Sequence, residues 1–191
     1  MTESRKKHKP STNPQRPASE LHPRIRTALV SVDPTGKRPA WHGAPTALGV
    51  LRGVDHELAV WRPYPGANNI REIALHIAFW ENSVANGLSG QTVRLGIKSP
   101  GAPGWADRAD EIDAAQWKRE RKLVRDTHAR LVEALTSFDP ERLDQPPSQR
   151  AKRNAVEFIH GVGEHSLHHA TQIAMIKELA KHRGTSRTPK R

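Results

Sequence analysis

The sequence predicts an all-α fold, a four-helix bundle with disordered basic tails. Three observations carry that expectation. Apolar residues recur at helical spacing over several long segments, and no segment sustains the apolar–polar alternation of a strand between turn signals. The Pro- and Gly-rich stretches fall between the periodic segments and not within them. One-sided helices joined by short to medium connections bury their stripes most simply against one another.

Taken in order, residues 20–32 (ELHPRIRTALVSV) read as a short helix with Ile25, Leu29 and Val30 on one side, ended by DPTGKRP. A second helix is expected from about Ala44-Pro45, where a first-turn proline loses no hydrogen bond; it would carry Leu48, Leu51 and Val54. WRPYPGANN is a loop. The spacing of Ile73, Ile77, Trp80 and Val84 predicts a helix over 70–88, with His76 at the edge of its stripe. Residues 89–110 are Gly/Pro-rich and non-periodic, a long loop of the kind that often shapes a site. A helix of about 113–137 follows, with Val124, His128, Leu131, Leu135 and Phe138 in register, and DPERLDQPPS ends it. The last helix, about 151–181, has Phe158, Val162, Ile173, Ile176 and Ala180 on its stripe, and the middle of that stripe lands on His165 and His169.

The 191 residues suit one domain, with a basic tail over 1–19, a bundle over 20–180 and a second basic tail over 181–191. The net charge of +11 gathers at the ends: residues 1–27 hold seven Lys/Arg against two acids, and 181–191 hold five against none. The stretch 28–180, with nineteen bases and eighteen acids, is nearly neutral. Such tails are too polar to pack, so any nucleic-acid binding is expected to be weak, tail-mediated and salt-dependent. No run is apolar enough for a membrane span or secretory signal, and a cytoplasmic address is expected. With no cysteine, the chain has no disulfide, thiol nucleophile or thiolate ligand, and a transition-metal site must use imidazole and carboxylate.

Histidine is where the chemistry concentrates. His165 and His169 stand i, i+4, so both rings leave one helix face about 6 Å apart, close enough to take adjacent positions on one ion. In a chain with eleven histidines such a pair is also the ordinary signature of two half-buried, hydrogen-bonded rings. Its place on the core stripe favours a metal, because bundle sites point inward from facing helices and two polar rings in a core are costly unless satisfied. His76, on a facing helix, would complete a three-ligand site with open positions, its nitrogens about 2.0–2.2 Å from the ion. His168 lies about 100° round the helix on a more polar face, and His128 reads as a satisfied core-edge histidine. His42 reads as a packing residue, and His8, His22 and His182 carry no signal. Glu72, one turn before His76, is either a helix-surface carboxylate or a candidate orienting group or general base. Gln172 is three residues beyond His169 and could hydrogen-bond near the site. No phosphate loop, nucleophile elbow or H-E-x-x-H motif is present.

AWHGAPTALGVLRGV, RPYPGANNIREIALHIAFWE and GVGEHSLHHATQIAMIKEL together resemble the DinB/YfiT-like superfamily of metal-dependent four-helix-bundle proteins, from about residue 40 to 180. The last motif is the most specific, similar to H-x-x-Y-H-x-G-Q-I, with His168 in place of the tyrosine and Thr171 in place of the glycine. The resemblance implies His76, His165 and His169 as ligands of one divalent ion, Zn²⁺ or Ni²⁺, and often a homodimer. It also implies a metal-dependent hydrolase or a transferase that uses a low-molecular-weight thiol. A non-catalytic, metal-stabilised bundle that binds a ligand or partner is the alternative.

Overall fold

The computed structural model describes residues 21–33, 43, 45–97, 101–147 and 151–182. Five α-helices are present among them: α1 (Pro23–Val32), α2 (His56–Val60), α3 (Ile70–Ser89), α4 (Ala114–Thr136) and α5 (Ala155–Lys181). No strand occurs among the described residues, so the all-α bundle expected from the periodicity stands. No helix among them is long and apolar enough to cross a membrane. The expected disordered tails lie outside the described residues, except that Lys181 and His182 close α5.

Local chemistry sets the long helices. Asn69 and Asn154 each cap a helix through a reciprocal box with the glutamate three residues on, Glu72 for α3 and Glu157 for α5. Asp113 caps α4 by accepting from Gln116 N. Asn154 therefore starts the last helix at 155, four residues later than the stripe alone suggests.

The expected helix from about 44 is the main correction. Ala44 lies outside the described residues; from Pro45 the chain makes turns and a 3-10 segment at Gly49–Leu51, and only then the five-residue α2. Gly53, at φ +72°, takes the chain into the left-handed region and ends any helical run before Val54. Asp55 then caps α2.

These short pieces occupy the fourth position of the bundle together. α1 packs on α5 and α4 at one end, while the 3-10 segment meets α5 and α2 meets α3 and α4 at the other. Lys177 fastens the second piece by donating to the carbonyls of Val50 and Arg52. The apolar core is divided accordingly. One cluster joins Ile25 and Ala28 to Val84, Leu88, Leu131, Leu135 and Ile159. The other joins Val50, Leu51 and Val54 to Ile73, Ile77, Val124, Ala170 and Ile173. On α4 and α5 the residues between the two clusters are largely polar, and His165 and His169 lie there, while His76 stands among the residues of the second cluster on α3.

Candidate metal centre

His76, in the second turn of α3, meets His165 and His169 from the middle of α5. The ring centroids stand 4.9 Å (His76–His165), 4.8 Å (His76–His169) and 4.4 Å (His165–His169) apart. One ligand nitrogen from each lies within 4.8 Å of the others. The Nε2 atoms of His76 and His165 are separated by 3.1 Å. Two nitrogens that share one ion at about 2.0–2.1 Å can stand at most about 4.2 Å apart, a condition this pair already meets.

Protonation and hydrogen bonding both fit a cation. Burial pushes His76 down to about 4, with the Gly104 carbonyl pulling the other way and His169 adding to the fall. His165 falls to about 4 through burial and the neighbouring charges of His169, His76 and His168. His169 is lowered by burial, partly opposed by its bond to Gln172. Near neutral pH all three rings are therefore uncharged and each has one lone pair to offer. Gln172 Oε1 lies 2.7 Å from His169 Nδ1, so that nitrogen carries the proton and Nε2 is left free. Among the described residues the Nδ1 atoms of His76 and His165 are buried without a well-aligned hydrogen bond. Because only one of the two facing Nε2 atoms can donate to the other, this polar cluster is under-satisfied, and a shared divalent ion would use the lone pairs. The three-histidine group could hold a metal ion.

Two tryptophans wall the cluster. Trp105 stacks on His76 at 3.9 Å and 9°, with its plane nearly perpendicular to His169 at 5.8 Å. Trp80 stands edge-on to His76 and His165 at 6.3 and 6.1 Å and is 38% exposed. Buried Arg71 and half-buried Arg62 secure the loop that carries Trp105. Arg71 binds Glu120 and the Asp107 carbonyl, and Arg62 binds Glu72, Asp110 and the Ala109 carbonyl. Gly104, at φ +84°, sits so close to Phe79 that an added Cβ would lie 2.6 Å from the ring. The long loop thus shapes the site, as its composition suggested.

A family model for the DinB superfamily matches residues 44–173, which include all three histidines. The chain belongs to the DinB superfamily. No curated protein and no solved structure matches it.

Elsewhere in this DinB domain, the other candidate residues sort clearly. Glu72 is buried, not on the surface; its carboxylate binds Arg62 at 2.6 and 2.9 Å and accepts from Asn69 N. None of its hydrogen bonds reaches a histidine. His168 is exposed, its ring 4.9 Å from that of His169, as the polar face of α5 requires. His42 and His8 lie outside the described residues. His128 is a satisfied, buried histidine: its Nδ1 stands 3.2 Å from both oxygens of Glu81. Burial alone would lower it, but the hydrogen bond and charge of Glu81, with Asp33, raise it overall. Ser166 Oγ donates to the same carboxylate at 3.1 Å. Glu81 escapes a stripe for α3 that is drawn through Trp80. Its signal was available: Glu81 follows Ile77 by four residues and precedes Val84 by three.

Proposed function

We propose that His76, His165 and His169 hold one divalent ion, Zn²⁺ or Ni²⁺, and that the protein is a metal-dependent enzyme acting on water or on a small-molecule thiol. The observation that carries the reading is the convergence of three uncharged imidazoles, with the Nε2 atoms of His76 and His165 only 3.1 Å apart. Bound there, a divalent cation would supply Lewis acidity that brings the proton of a water or thiol within reach of neutral pH. The chain's own residues do the rest. Gln172 fixes the tautomer of His169, burial keeps His76 and His165 uncharged, and Trp105 and Trp80 wall the cluster. With no cysteine in the chain, any thiol must arrive as a low-molecular-weight cofactor. The chemistry is then hydrolysis or thiol-dependent transfer.

One observation favours a second reading, a metal-stabilised bundle that binds a ligand without turning it over. Among the described residues no carboxylate is hydrogen-bonded to the three histidines, and Glu72 is already engaged by Arg62. Metal analysis of the purified protein, followed by a panel of hydrolysable esters and amides and of thiol cofactors with electrophiles, separates the readings. Stoichiometric metal with turnover supports the enzyme; metal with thermal stabilisation alone supports the second reading. Stoichiometric metal retained by a His165→Ala/His169→Ala variant would end both.

A further inference from the structure

We infer that a groove between the start of α2 and the first half of α4 binds the phosphate backbone of single-stranded nucleic acid, without reading its bases. The groove has a volume of about 590 Å³ and is lined on one side by Lys118, Arg121 and Arg125. These residues stand three and four apart on α4, so their side chains leave one face of the helix in a row. Val54 and Trp117 close its base, and His56 faces the row from α2.

Charge accounting makes this row distinct from an ordinary solvated face. Residues 114–130 hold six Lys/Arg against two acids. Both acids are committed: Glu120 to Arg71 and Gln116, and Asp126 to Lys122. Asp55, the carboxylate in the groove, accepts from Leu58 N as the cap of α2. Among the described residues no hydrogen bond or ion pair engages Lys118, Arg121 or Arg125. Three unpaired cations therefore share one concave surface, a local excess that the near-neutral total of residues 28–180 conceals.

The choice of ligand follows from shape and donors. Guanidinium groups present forks suited to phosphate oxygens, and lysine adds a mobile point charge. An open groove along a helix admits a chain that enters at one end and leaves at the other. The lining offers no array of paired donors and acceptors that could distinguish bases, so binding is sequence-independent and led by counterion release.

The test uses the full chain and a labelled oligothymidylate, with affinity read by anisotropy between about 50 and 200 mM salt. A Lys118→Gln/Arg121→Gln/Arg125→Gln variant is compared with Lys6→Gln/Lys7→Gln/Lys9→Gln, which removes the same charge from the N-terminal segment. The groove variant should flatten the log-affinity against log-salt slope by about 2, the value for three single-strand phosphates, and the other should flatten it less. Matched melting curves check the fold. Should the triple variant melt early, Lys118→Gln/Arg125→Gln, both exposed, should still flatten the slope by about 1.4. An unchanged slope, an equal or larger loss in the N-terminal variant, or no binding at the lowest salt overturns the proposal. So does a groove that takes inorganic tripolyphosphate but not the oligonucleotide.

Discussion

Gln172 and the apolar surroundings of His76 achieve the same end by different means, namely an imidazole with a lone pair to spare. For His169 the amide oxygen at 2.7 Å does this by holding the proton on Nδ1. Replacing Gln172 by Ala should weaken metal affinity by about 10–100-fold, the usual effect of losing such a partner, as read by competition with a chelating dye. An affinity equal to that of the parent would show that the tautomer needs no help. For His76 and His165 the means is burial, which leaves a signature in pH. Both rings titrate near 4 in the folded chain and near the ordinary 6.5 when unfolded. Protons then favour the unfolded state as pH falls below 6.5, so stability present above that value is lost toward pH 4. His128 runs the other way: its raised value gives stability at low pH that is lost as pH rises through its folded pKa. Urea melts of metal-free protein should therefore show a loss between pH 6.5 and 4 that shrinks in His76→Gln. Equal acid losses in the parent and the variant would contradict this. The histidines were legible in the sequence because i, i+4 spacing and a core stripe are local facts. The stacking of Trp105 was not, since no periodicity connects a residue in a Gly/Pro-rich loop to the helix it lies on.

At the scale of elements, the long helices and the short α1 were legible, and the pieces between residues 45 and 60 were not. Helices expected over 70–88 and 113–137 are Ile70–Ser89 and Ala114–Thr136, each fixed by an apolar stripe and an Asn or Asp cap. The segment from 45 to 60 carries apolar residues at helical spacing too, yet Gly49 and Gly53 fall within it, and the backbone chose turns. Pattern alone does not tell a helix from a folded-back chain whose apolar side chains meet the same core. The loop before α4 invites a direct test. Gly104→Ala places a Cβ where Phe79 lies and forces an L residue to φ +84°, a conformation that costs about 1 kcal/mol or more. The variant should stay folded while Trp105 leaves His76, seen as a changed tryptophan emission and a faster loss of bound metal to a chelator. Unaltered emission together with unaltered metal release would mean that the loop absorbs the change without moving the ring.

For the whole molecule, the division of the core matters more than its size. Two apolar clusters meet at a level where Glu81, His128 and Ser166 tie α3, α4 and α5 together. Glu81 is 1% exposed, so removing His128 leaves a buried carboxylate with the Ser166 hydroxyl as its remaining donor. His128→Leu should cost about 3–5 kcal/mol in denaturant unfolding, whereas the double variant Glu81→Leu/His128→Leu should recover much of that loss. Additive losses in the two single variants would show that the pair is uncoupled. Charge is distributed unevenly on the same scale: the bundle is close to neutral in total, but α4 has a row of cations that are unpaired among the described residues. A sum over sequence could not show this, because it weighs an acid locked in an ion pair equally with one left free. The polar level between the clusters also acts as an index mark. Were α4 to slip by one turn, about 5.4 Å, His128 would leave its carboxylate for an aliphatic layer, and Glu81 would face carbon. Apolar stripes by themselves tolerate such a slip, so this single level gives three helices one vertical alignment, and with it the height at which His76 faces His165.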